Sequence, residues 1–250
     1  MSIRLIANWK LNGSKDFSNK WIRDFVENFS GNNFEYIGVA PPSIFLDHIK
    51  KIAYEYDIAI GSQNVDSENL GPRTGEISAS MIKDIGCKFS IIGHSERRIL
   101  FNESNKEICQ KLNQVSKNLM LPVLCIGESE EENSKSLTFD ILEHQIVKAI
   151  DHSFEITSLI IAYEPVWAIG TGKTPNPSEI NSIHKMIKDV VQSRFPKTDL
   201  KYVLYGGSVN SINASALFEQ QHVDGALIGG ASLDGKEFAN IANVFNQLKL

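Results

Sequence analysis

The sequence predicts an α/β fold in which eight parallel strands close into a (β/α)8 barrel with outer helices. Three observations carry that prediction. Short apolar runs rich in β-branched residues alternate with amphipathic segments along the chain. Most of the runs are apolar on nearly every residue, as strands covered on both faces must be. The length, 250 residues, is that of a barrel closing on itself. The competing architecture, an open doubly wound sheet, usually announces itself with a glycine-rich turn after its first strand. Here the first strand runs into Asn8-Trp9-Lys10-Leu11-Asn12-Gly13, with no G-x-G-x-x-G. No linker or low-complexity stretch divides the chain, so residues 1–250 read as one barrel domain.

The expected strands are Arg4–Asn8, Tyr36–Ala40, Ala59–Gln63, Phe89–Gly93, Pro122–Ile126, Leu159–Tyr163, Tyr202–Tyr205 and Ala226–Ile228. After the first, Phe17, Trp21, Phe25 and Phe29 recur every fourth residue and form one apolar stripe on a helix over Lys15–Phe29. Ile44–Tyr56, Lys106–Asn118, Thr138–Ile150, Glu179–Phe195 and Phe238–Leu250 carry similar patterns. Pro177-Ser178-Glu179 is a helix start signal. Strict alternation of strand and helix implies a parallel sheet.

Composition narrows the function. Hydrophobic residues make up 42% and charged residues 22%, the balance of a globular protein. No apolar run is long enough to span a bilayer, so no membrane partner is expected. The opening Met1-Ser2-Ile3-Arg4 lacks the three-part build of a signal peptide, which makes the cytoplasm the expected location. A net charge of −5 disfavours nucleic acid. It leaves room for a small anionic substrate, because a pocket's local field can oppose the global charge. Cys87, Cys109 and Cys125 form no C-x-x-C pair, so neither a disulfide framework nor a zinc site is expected. Neither a metal nor a cofactor is expected.

In closed parallel barrels the active site lies at the C-terminal ends of the strands. Asn8 and Lys10, two apart past strand one, point the same way on an extended segment. His94 stands directly at the end of strand four, ahead of Ser95 and Glu96, which read as the start of a short helix. The positive end of a helix dipole disfavours imidazolium, making His94 a candidate neutral donor. Taken alone, His94 reads better as a satisfied core histidine. His48, His144, His152, His184 and His222 read as surface or structural.

Glu164 follows a buried strand, where the ordinary alternative is a buried ion pair. The next segment, Pro165–Pro175, has an apolar tip, two glycines and a proline at each end, the make-up of a lid. Gly206-Gly207-Ser208 and Gly229-Gly230 close strands seven and eight. Paired glycines let backbone N–H groups approach an anion, although Gly-Gly is also a common turn. Their position matches the phosphate site many such barrels share, and Gly170 in the lid offers a further N–H. Together these groups supply a base, a neutral donor, a cation and an anion cradle. Proton transfer beside a carbonyl in a phosphorylated substrate needs that set.

At these residues the chain resembles the triosephosphate isomerase family. The segments Ala7–Lys10, Gly93–Arg98 (GHSERR), Leu124–Glu128 (LCIGE), Tyr163–Lys173 (YEPVWAIGTGK), Tyr205–Ser208 (YGGS) and Gly229-Gly230 match its signatures in order. The resemblance implies a TIM barrel and interconversion of dihydroxyacetone phosphate and D-glyceraldehyde 3-phosphate, a step of glycolysis and gluconeogenesis, without a cofactor. It implies that Glu164 moves the proton, His94 donates to the substrate oxygen, and Lys10 and Asn8 stabilise the developing charge. Gly170, Ser208, Gly229 and Gly230 would hold the phosphate. Glu96 would pair with Lys10, Glu128 with Trp167 of the lid, and Cys125 would be packing.

The resemblance also implies a homodimer formed through Gln63–Glu76, with Thr74 reaching the neighbouring site. There the family pattern is a small residue followed by a bulky one, and this chain has Pro72 and Arg73. A second departure concerns Tyr205, which in the family latches the closed lid through a backbone N–H. The position that would supply it is Pro175, which has none, so Tyr205 is expected to use another partner.

Two other readings compete. A Schiff-base aldolase would need a buried strand lysine, and Lys10, the single strand-end candidate, pairs with Glu96 in the resemblance. A catalytically silent, phosphate-binding barrel scaffold would be expected to lack Glu164, His94 or Lys10, and all are present.

Overall fold

The computed structural model describes residues 2–150, 156–169 and 174–250. Its strands are β1 (Leu5–Asn8), β2 (Ile37–Ala40), β3 (Ala59–Ser62), β4 (Phe89–Ile92), β5 (Leu121–Ile126), β6 (Ser158–Tyr163), β7 (Asp199–Tyr205) and β8 (Gly225–Ile228). Each pairs in parallel with the next, and β1 with β8 closes the barrel. The helices are α1 (Lys15–Asn28), α2 (Leu46–Ile52), α3 (Ala79–Ile85), α4 (Ser95–Leu100), α5 (Asn105–Lys117), α6 (Glu130–Ser134), α7 (Thr138–Ala149), α8 (Pro177–Arg194), α9 (Ala214–Phe218) and α10 (Gly235–Lys249).

Alternation along the strands separates two cores. Ile6, Phe89, Ile91, Val123, Cys125, Ile160, Ala162, Leu204 and Leu227 fill the barrel interior. Their neighbours Leu5, Ala7, Leu124, Ile161, Tyr163, Tyr205 and Ile228 point outward, into the layer beneath the helices. Both faces are buried, so the strands read as unbroken apolar runs. The aromatic stripe of α1 lies in the outer layer: Trp21 stacks on Phe25 at 5.2 Å, and both rings meet Phe238 of α10. Serines open several helices. Ser14 accepts from the Phe17 N–H, while Ser104 with Glu107 and Ser129 with Glu132 form complete capping boxes.

Two differences from the sequence reading have local causes. The short helices α3, α6 and α9, of seven, five and five residues, were not expected from periodicity. They complete too few turns to display a 3.6-residue repeat. The segment read as one helix, Ile44–Tyr56, is instead α2 flanked by 3₁₀ turns at Ser43–Phe45 and Tyr54–Tyr56. Asp57 follows in a left-handed conformation (φ 51°) that ends it.

Candidate active site

The inward register extends past the strand ends. Ile6, Ala162, Leu204 and Leu227 face the barrel interior, and two residues beyond them stand Asn8, Glu164, Gly206 and Gly229. All four line one cavity of about 320 Å³, with Lys10, His94, Ser208 and Gly230. The expected site residues that are described in this region therefore converge. Gly170, expected beside them, lies outside the described residues.

At the end of β4, Gly93 takes a positive φ of 71°, a conformation that favours glycine. His94 follows as the N-cap of α4, and its Nδ1 accepts the Glu96 N–H at 3.2 Å. The single ring proton of the neutral imidazole therefore sits on Nε2, which lies 3.1 Å from Glu164 Oε1. The other carboxylate oxygen, Oε2, accepts the Ser95 N–H at 3.0 Å. Glu164 is almost wholly buried, so these two donors compensate for lost water. Burial and the neighbouring Glu164 carboxylate push the Cys125 thiol well above its ordinary value. Cys125 is thus held as a thiol that packs beside the carboxylate.

Lys10 occupies a left-handed backbone position (φ 51°). Its N–H donates to Asn8 Oδ1 at 3.1 Å, and its carbonyl accepts from Gln63 Nε2 at 2.9 Å. The same amide nitrogen donates to the Ala40 carbonyl, so Gln63 ties together the ends of β1, β2 and β3. Lys10 Nζ reaches Glu96 Oε1 at 2.6 Å.

The first half of Pro165–Pro175 is held by one acceptor, Glu128, and one donor, Ser208. Trp167 Nε1 donates to Glu128 Oε1 at 2.9 Å, which also accepts from Tyr163 Oη at 3.1 Å. Burial raises the Glu128 carboxyl above its ordinary value. Ser208 Oγ donates to the Ala168 carbonyl at 2.7 Å and joins this segment to the loop after β7. Tyr205, register-paired with Tyr163, is buried, and its hydroxyl has no hydrogen-bond partner among the described residues. Pro175 is likewise buried.

Sequence reasoning named Ser95, Gln63 and Gly206 but missed what each does in the site. Ser95 acts through its backbone N–H, Gln63 through its amide on two carbonyls, and Gly206 through empty space: a β-carbon there would stand 2.7 Å from Glu164 Cγ. Gly229 has a second use of the same kind, because a β-carbon there would crowd Lys10 Cε at 3.1 Å. Among the described residues, no three His, Cys, Asp or Glu side chains form a group that could hold a metal.

Comparison with known proteins points to one family. The family model described as triosephosphate isomerase matches residues 3–245. A triosephosphate isomerase from Baumannia cicadellinicola is 45% identical over 241 residues, covering 95% of this chain and 94% of the relative. One from Enterobacter cloacae is 42% identical over 248 residues, covering 98% and 97%. The crystal structure of triosephosphate isomerase from Bartonella henselae superposes with a TM-score of 0.86 at 31% identity, covering 98% of this chain and all of that one. With its fold, its signature segments and its nearly full-length relatives in agreement, the chain belongs to the triosephosphate isomerase family.

Proposed function

We propose that this chain carries out the family's reaction, interconversion of dihydroxyacetone phosphate and D-glyceraldehyde 3-phosphate, with Glu164 as the base. The observation that supports this role most directly is the pairing of Glu164 Oε1 with His94 Nε2 at 3.1 Å. A substrate oxygen arriving at Nε2 displaces the carboxylate from its donor. Oε1 is then free to take a proton from the adjacent carbon. His94 donates its Nε2–H to the oxygen as negative charge builds on it, and Lys10 and Asn8 stabilise that charge. Returning the proton to the neighbouring carbon completes the isomerisation.

The phosphate belongs against Ser208, Gly229 and Gly230, with Gly170 of the lid. Ser208 Oγ is committed to Ala168, so its backbone N–H is the group left for the anion. A 3₁₀ turn over Gly230–Leu233 opens at this point, the short extra helix that phosphate-binding barrels place after strand eight. Glu96 holds Lys10, and Glu128 holds the lid through Trp167.

The same reading extends to assembly and location. A groove of about 450 Å³ runs from Lys10 past Gly75 and Glu76 to Phe101. Leu11, Leu100 and Phe101 beside it are 96%, 69% and 65% exposed. Exposed apolar side chains around a groove mark an interaction surface, and a second copy bringing its Gln63–Glu76 loop makes the homodimer. The cytoplasm fits a triose phosphate substrate and three buried cysteine thiols. No described helix is long and apolar enough to cross a membrane.

A coupled assay tests the mechanism. With dihydroxyacetone phosphate as substrate, Glu164→Ala should lower kcat by about 10²–10⁴-fold with the fold intact. Turnover near wild type in that variant would remove Glu164 from its role. A silent phosphate-binding scaffold predicts no turnover even in the wild type.

A further inference from the structure

The loop after β3 departs from the family pattern at Pro72 and Arg73, and the structure gives Arg73 a definite task. The base of the loop is pinched where the Asp66 N–H donates to the Ile77 carbonyl at 2.9 Å. The buried Asp66 carboxylate accepts the Glu68 N–H at 2.7 Å and the Arg73 Nε–H at 2.8 Å. A guanidinium from the upper loop therefore reaches back to its root. Burial works against the Asp66 charge, yet the Glu68 N–H and Arg73 hold its carboxyl below the ordinary value. Glu68 and Glu76 lie close enough to act on Arg73 as well, which makes it the cation among three loop carboxylates.

Above that brace the chain projects. Residues 70–76 are all exposed. Gly71 and Gly75 take φ of 150° and 95°, and a β-carbon on either would meet no atom within 4 Å. Leu70 is 79% exposed at the start of the projection. The same chain thus carries a projecting arm with an exposed leucine at its start and the open groove beside Lys10. A two-fold axis sets each arm in the other subunit's groove and satisfies both surfaces at once.

We propose that Arg73 is the internal strut of a dimerisation arm: its ion pair with Asp66 fixes the shape of residues 66–76 in the free subunit, ready to enter the groove of a second copy. The inference rests on the homodimer read above. A loose arm would lose backbone and side-chain freedom on docking, and that cost opposes association. A braced arm has lost it already. Two arms dock per dimer, so the effect of one substitution is felt twice. The pair is open to water on the Arg73 side, and salt weakens it.

Sedimentation velocity over a dilution series at low and high salt tests this with wild type, Arg73→Met, Asp66→Asn and the double variant. Each single change should raise the dimer dissociation constant at least about tenfold, with the double variant no worse than the singles, because they break one shared pair. High salt should weaken the wild-type dimer and leave the variants unmoved. Circular dichroism separates a misfolded variant from a dissociated one, and Arg73→Lys, which keeps the charge, should recover part of the affinity. A dimeric wild type with variants within about twofold of it overturns the strut and leaves the dimer standing. A wild type that stays monomeric at high micromolar concentration overturns the dimer reading and the strut with it.

Discussion

A β-carbon on Gly206 would stand 2.7 Å from Glu164 Cγ and 3.2 Å from the Tyr163 carbonyl. The first contact is with the side chain of Glu164, the proposed base, so Gly206→Ala moves the carboxylate away from the donors at His94 and Ser95. A displacement of about 1 Å at a reacting group costs on the order of 10²-fold in rate. Gly206→Ala should therefore lower kcat by about that factor, while KM and circular dichroism stay close to wild type. Steady-state kinetics returning an unchanged kcat would show that the neighbours yield instead. At this scale the site was half legible in the sequence. Asn8, Lys10, His94 and Glu164 are polar side chains at strand ends, and such residues stand out against apolar runs. What holds them is backbone and space. The Ser95 N–H, the Gln63 amide on two carbonyls and the room left by Gly206 have no signature in residue type.

The segment proposed as a lid, Pro165–Pro175, has two candidate latches, and the structure separates them. Ser208 Oγ already donates to Ala168. The Tyr205 hydroxyl is buried without a partner among the described residues, and burial raises its pKa. Pro175, where the family supplies an N–H, has none to give. Removing a buried hydroxyl that lacks a partner forfeits no hydrogen bond, so Tyr205→Phe should change unfolding free energy by less than about 1 kcal/mol. It should also cost less in kcat and in transition-state-analogue affinity than Ser208→Ala. If the two variants slowed turnover and weakened analogue binding equally, Tyr205 would have a partner in the closed state that substitutes for the lost N–H. Legibility differs between elements for a physical reason. Strands buried on two faces print as continuous apolar runs, and β1, β4 and β6 fall within one residue of expectation at each end. Helices of five to seven residues leave no period to read, as α3, α6 and α9 show.

Across the whole molecule, stability rests on the layer between barrel and helices, and the His184 imidazole is sealed inside it. His184 of α8 is fully buried, edge-on to Tyr163 with centroids 6.0 Å apart. Burial pushes its pKa down to about 3 from an ordinary 6.5. The folded state then binds fewer protons than the unfolded state across that window. Stability from this group is complete above about pH 6.5 and declines as pH falls towards 3, by about 1.4 kcal/mol per unit. Glu128, whose carboxyl is raised by burial, acts in the opposite sense, because its folded form binds a proton more readily. Comparing wild type with His184→Gln isolates the histidine from that opposing contribution. Urea unfolding at fixed protein concentration, which keeps any assembly equilibrium constant, should show wild type losing about 2 kcal/mol more than His184→Gln between pH 7 and pH 5. The variant sits lower at both pH values because the ring packing is gone, and the pH difference is the quantity that decides. Equal losses in the two proteins would mean that the barrel opens enough around α8 to protonate His184 without unfolding. In that case the outer layer would be a separate cooperative unit from the barrel it covers.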